Sequence, residues 1–110
     1  YLHEAKTHGT KVVMVNPYRE PGMDRYWVPS TPRSAVFGTD IMDYWFPVTQ
    51  GGDIPFLYGV IKILLAEGWI DRAFVEAHTT GLDDLQAMCD RLDWDVLERR
   101  SGLPRASMQE

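Results

Sequence analysis

The apolar residues of this chain fall into two short continuous runs followed by a long series at helical spacing. Lys11-Val12-Val13-Met14-Val15 is rich in β-branched residues and predicts a strand buried on both faces, as in a parallel sheet. Tyr1–His8 before it reads as the end of a helix with Gly9 as its terminator. Helix, glycine turn and strand together make half of a β-α-β unit. Asn16-Pro17 ends the strand, because proline has no N–H for the ladder. From Tyr18 to Asp40 the chain is punctuated by Pro21-Gly22, Pro29, Pro32 and Gly38. Its aromatic content predicts an ordered loop, with Tyr26-Trp27-Val28 as a brief strand. Tyr44–Val48 predicts a second short strand, held to an edge or an early end by Pro47.

The second half changes period. Asp53 is placed to cap a helix running to Ala66, with Pro55 in its first turn and Gly68 after its end. Ile54, Phe56, Leu57, Tyr58, Val60, Ile61, Ile63, Leu64 and Leu65 leave almost no polar side, which predicts burial against a sheet. Asp71 caps a helix to Ala77, broken by Thr80-Gly81. Leu82, Leu85, Met88, Cys89 and Leu92 mark an amphipathic helix. Asp93 caps another through Arg100, ended by Gly102, and Pro104 opens one more. The fold class is therefore α/β: a small parallel sheet with flanking helices and a helical C-terminal half. The chain reads as one partial domain, with residues 1–53 as the helix, strand and loop part and 54–110 as the mostly helical part. Both ends fall inside predicted helices, which leads us to expect a slice of a larger chain.

Composition narrows the function classes. With 110 residues, 45% hydrophobic and 25% charged, the chain supports one modest core. The net charge of −5, with acids and bases interspersed, argues against a nucleic-acid partner, which would require a basic face. Ile54–Ala66 is interrupted by Lys62 and is shorter than the roughly 20 apolar residues of a membrane span, so no membrane partner is expected. The one cysteine, Cys89, forms neither an internal disulfide nor a cysteine-only metal site and reads as a small core residue. Its solitary state suits a reducing compartment. His3, His8 and His78 lie in no ligand spacing, and no serine sits in a nucleophile elbow.

One constellation carries chemistry. A strand ends at Asn16, and a second strand runs through Gly51-Gly52-Asp53 into a helix N-terminus. Glycines allow a ligand close to the backbone, and a carboxylate beside a strand end can accept two adjacent N–H groups of a guanine edge or bond a ribose. Read from the residues alone, Asp53 as a helix cap after a glycine turn is the better account.

The order of motifs is more specific. Ala5-Lys6-x-x-Gly9-x-Lys11-Val12-Val13-x-Val15-Asn16-Pro17, then Met42-Asp43-Tyr44 and Gly51-Gly52-Asp53-Ile54, then Gly59-x-x-x-Ile63-Leu64, Glu67-Gly68-Trp69-Ile70-Asp71-x-x-Phe74-Val75 and His78-Thr79-x-Gly81 follow one another. The series resembles the molybdopterin-dependent oxidoreductases, and within them the formate-dehydrogenase-like alpha subunits, which have Asn-Pro and Gly-Gly-Asp at these places. The resemblance implies that this region is a fragment of a dinucleotide-binding-like domain and holds the guanosine end of a molybdopterin guanine dinucleotide. It implies Asn16, Pro17, Arg19, Gly51, Gly52 and Asp53 as cofactor-binding residues, Asp53 on guanine and Asn16 on the ribose or base. It assigns no catalytic residue and no metal ligand to this chain. An iron–sulfur cluster and the metal ligand would lie elsewhere in a cytoplasmic parent that acts on formate or a related small molecule. The partners expected are the rest of that polypeptide and its substrate, with self-association if the apolar helix is left bare. Two other readings stand beside it: a standalone α/β nucleotide-binding module, and an interaction domain whose helix Ile54–Ala66 docks a partner without redox chemistry.

Overall fold

The computed structural model describes residues 2–25 and 40–110. The chain divides into two compact units, 1–47 and 48–110. Gly51, Gly52 and Asp53 thus fall in the helical unit. The strand expected at Tyr26–Val28 lies outside the described residues.

In the first unit, helix α1 (Leu2–Thr7) leads through Gly9 into strand β1 (Val13–Val15). The helix ends as the sequence requires: the Gly9 and Thr10 N–H groups donate to the carbonyls of Lys6 and Ala5, and Gly9 takes a φ of 86°. A short helix α2 (Pro21–Asp24) follows, opened by Pro21 at its first position where the loop was expected. Proline and glycine there start a turn of helix rather than merely interrupting the chain. Strand β2 (Tyr44–Phe46) pairs with β1 in parallel, Val13 opposite Tyr44 and Val15 opposite Phe46. The expectation of a strand buried on both faces is corrected. Met14 is buried, but Val13, on the opposite face of the strand, is 54% exposed.

Asp43, just before β2, ties these pieces together. Its Oδ2 accepts from Lys6 Nζ at 2.8 Å and from the Val12 N–H at 2.8 Å, and Lys11 Nζ lies 3.4 Å from Oδ1. The Lys6 hydrogen bond, and then the Val12 N–H, hold the Asp43 pKa down to about 2.

The second unit is built on helix α3 (Asp53–Glu67). Phe56, Gly59 and Ile63 form its buried stripe, and its partners in the unit are α5 (Leu82–Asp90), α6 (Trp94–Ser101) and α7 (Arg105–Gln109). Helix α4 (Arg72–His78) lies between α3 and α5 in sequence, capped by Asp71, which accepts from the Phe74 N–H. Two expectations for α3 are corrected. Its partners in the unit are helices, since the unit contains no strand among its residues, and Ile54 (66%) and Leu57 (52%) remain exposed. Its N-cap is Gly52, whose carbonyl accepts the Phe56 N–H, so Asp53 is the first residue of the helix and not its cap. Lys62 fastens α5 to α3: its Nζ donates to the carbonyls of Cys89 at 2.6 Å and Leu92 at 2.9 Å. Cys89 is fully buried, as expected of a core thiol, and burial pushes its pKa up. The architecture is mixed α/β, with one two-stranded parallel sheet among the described residues and helices elsewhere.

Candidate functional site

The expected binding residues form two turns, one in each unit. In the first unit, β1 and β2 are parallel, so both strands end at the same edge of the sheet, where α/β proteins gather ligands. Asn16 follows β1 there. Its N–H donates to the Phe46 carbonyl, and its own carbonyl accepts from Trp45 Nε1 at 2.9 Å. Its side chain closes the turn: Nδ2 donates to Glu20 Oε1 at 3.0 Å, and Oδ1 accepts from the Tyr18 N–H at 3.4 Å. Pro17 is exposed between them. Arg19 pairs with Asp24, and its guanidinium lies 5.5 Å from the centre of the Trp45 ring. The Asn16 amide keeps one further N–H, and Arg19, half exposed, keeps donors beyond its ion pair. Glu20, Asp24 and Trp45, which position these two residues, were not singled out in the sequence. The spacings Asn16–Glu20 and Arg19–Asp24 were the available signal, obscured because the stretch reads as loop.

The second turn is Thr49–Gly52. The Gly52 N–H donates to the Thr49 carbonyl at 2.7 Å, and Gly51 takes a φ of 75°, the left-handed conformation this turn needs at its third residue. Gly52 lies against backbone: a Cβ there would meet the carbonyl oxygens of Thr49 at 2.8 Å and Ser101 at 2.9 Å. Thr49 secures the turn to the end of α6 by donating its N–H to the Ser101 carbonyl and its hydroxyl to that of Arg100. Both glycines are thus accounted for within the chain, Gly51 by its positive φ and Gly52 by close packing against backbone. Asp53 is different. Its carboxylate is exposed, makes no hydrogen bond among the described residues and caps nothing, while standing in the first turn of a fifteen-residue helix. It is a free double acceptor beside outward-facing N–H groups.

Among the described residues, no group of three or more His, Cys, Asp or Glu side chains is arranged to hold a metal ion. No helix among them is long and apolar enough to cross a membrane.

An uncharacterized oxidoreductase of Mycobacterium tuberculosis is 30% identical over 115 residues, spanning 98% of this chain and 15% of that protein. The chain is a relative of one stretch of a larger oxidoreductase. Protein YdeP of Escherichia coli is 27% identical over 93% of the chain, and the assimilatory nitrate reductase catalytic subunit of Bacillus subtilis 29% identical over 79% of it. The chain spans 15% and 12% of those two proteins. In fold it is similar to part of the acetylene hydratase of Pelobacter acetylenicus, with a TM-score of 0.74 at 20% identity over 96% of this chain and 12% of that one. No family model matches the chain. The named relatives are oxidoreductases, which agrees with an oxidoreductase parent, and they do not separate out the formate-dehydrogenase-like branch.

Proposed function

We propose that this chain is a segment of a molybdopterin-dependent oxidoreductase of the formate-dehydrogenase-like kind, and that it holds the guanosine end of a molybdopterin guanine dinucleotide. The observation that carries the reading is Asp53: an exposed carboxylate with no partner among the described residues, at the start of a long helix, in a motif that resembles, in its order, that of a family that binds guanine there. Asp53 accepts two N–H groups of the guanine edge. Asn16 and Arg19 offer their remaining donors to the ribose or base, with Pro17 shaping their turn. Gly51 and Gly52 set the direction in which Asp53 leaves the turn. The cofactor, when bound, supplies the redox centre; the residues of this chain bind and orient it. An iron–sulfur cluster, the metal ligand and the pocket for formate or a related small molecule belong to the rest of the polypeptide, and a cytoplasmic location rests on the same resemblance.

The test is Asp53→Asn in the full-length protein. One accepting oxygen becomes an amide donor that faces a donor, which costs roughly 2–4 kcal/mol of cofactor binding. Asp53 is not the helix cap, so folding loses only the helix-dipole term, about 0.3–1 kcal/mol. The expected result is a folded protein whose GMP and molybdenum, released and counted per mole, fall well below wild type. Unchanged content in the variant would remove Asp53 from the site and the reading with it.

A further inference from the structure

We infer that the outer face of α3 and the cleft beside it form an intramolecular docking surface, occupied by an apolar segment from elsewhere in the longer polypeptide that presents a carboxylate to Arg100. The inference rests on the reading of the chain as part of a larger oxidoreductase.

Opposite the buried stripe Phe56–Gly59–Ile63, α3 presents Ile54 and Leu57, 66% and 52% exposed, where a surface helix would carry polar residues. Ile54 continues into a cleft of about 160 Å³ between α3 and α6, lined by Pro55, Tyr58, Leu92 and Val96. The cleft is apolar in its lining and bordered by Arg100, whose guanidinium has no ion pair or hydrogen bond among the described residues. An apolar groove with one unpaired cation at its edge fits an apolar side chain followed by an acidic one. What covers it follows from length: this chain accounts for 15% of its oxidoreductase relative and 12% of the structural neighbour, so in such proteins most of the polypeptide lies outside this segment.

The experiment uses the full-length protein carrying Leu57→Cys, labelled by a brief maleimide pulse in native buffer and, as the fully reactive reference, in urea. Labelling at position 57 is read from its own peptide after digestion, apart from Cys89, which is buried in the folded protein and reacts in the urea reference. The expected result is native labelling on the order of a hundred-fold slower than in urea, independent of protein concentration, and accelerated by Arg100→Glu. Native labelling within a few-fold of the urea rate would overturn the proposal. So would protection that vanishes on dilution, which would assign the face to a second copy, or protection indifferent to Arg100→Glu, which would leave the carboxylate without support. GMP content is measured on the same preparations. A protein that lacks GMP but protects Leu57→Cys refutes the cofactor reading alone, and one that holds GMP but labels freely refutes the docking alone.

Discussion

Asp43 shows how one side chain can fix a local fold. It receives α1 through Lys6, the start of β1 through the Val12 N–H, and Lys11 at longer range. Its carboxylate, held at a pKa of about 2 against an ordinary 3.8, favours the folded state only while ionised. Because the folded pKa is the lower one, this stabilisation is complete above about pH 4 and is lost as the pH falls toward 2. Asp43→Asn is therefore expected to lower the melting temperature at neutral pH. It should also flatten the dependence of stability on pH between 2 and 4, measured by thermal unfolding across that range. An equally steep acid limb in the variant would place the acid sensitivity elsewhere. The same triad shows what a motif can hide. Lys6, Gly9, Lys11 and Asp43 read in the sequence as letters of a family pattern; in three dimensions they are a clamp and a helix terminator. Their recurrence would follow from folding as readily as from ligand binding. Asp53 is the reverse: the sequence placed it as a cap, and the structure gives its carboxylate no hydrogen bond among the described residues.

At the level of elements, period and punctuation placed the helices well. Asp71, Gly68 and Gly102 end or begin helices where their chemistry demands. What periodicity could not give was the partner of each face. An apolar circumference on α3 says that burial is favourable, not which side is covered within this chain. Nor could it show why Gly59 sits in the middle of that helix, where glycine costs about 1 kcal/mol relative to alanine. A Cβ at Gly59 would run into Met108 Sδ and come within 3.5 Å of the Trp94 ring, so the glycine lets α7 lie against α3. Gly59→Ala gains helix propensity but overpacks a buried contact, at about 1–3 kcal/mol. The expected net effect is destabilisation, seen as a lower midpoint in urea. Adding Met108→Ala should make the pair less damaging than the sum of the two single changes. Strict additivity would show that Met108 moves aside at no cost.

For the whole molecule, the division at Pro47 and Val48 separates the two halves of the expected site, Asn16 to Arg19 in one unit and Gly51 to Asp53 in the other. Sequence order made the two halves legible as candidates; their joint use belongs to the proposal and is tested with it. Purified by itself, it is expected to hold no stoichiometric molybdenum and to oxidise no formate. Elemental analysis and a dye-linked assay check both, and a one-to-one metal content would refute the assignment of the metal ligand to the rest of the polypeptide.

The tie from Lys62 to the carbonyl of Cys89 has a kinetic consequence. The thiol is the only one in the chain, and it is wholly enclosed where α5 meets α3. A reagent reaches it only during excursions in which α5 detaches, and each excursion must break the lysine's bonds to two or more backbone carbonyls. When reclosing is fast relative to modification, the rate of thiol exchange is the intrinsic rate scaled by the fraction of time the helix is open. Cys89 thereby becomes a native gauge of breathing in the helical unit, read without introducing a probe, and it separates local detachment of one helix from unfolding of the chain.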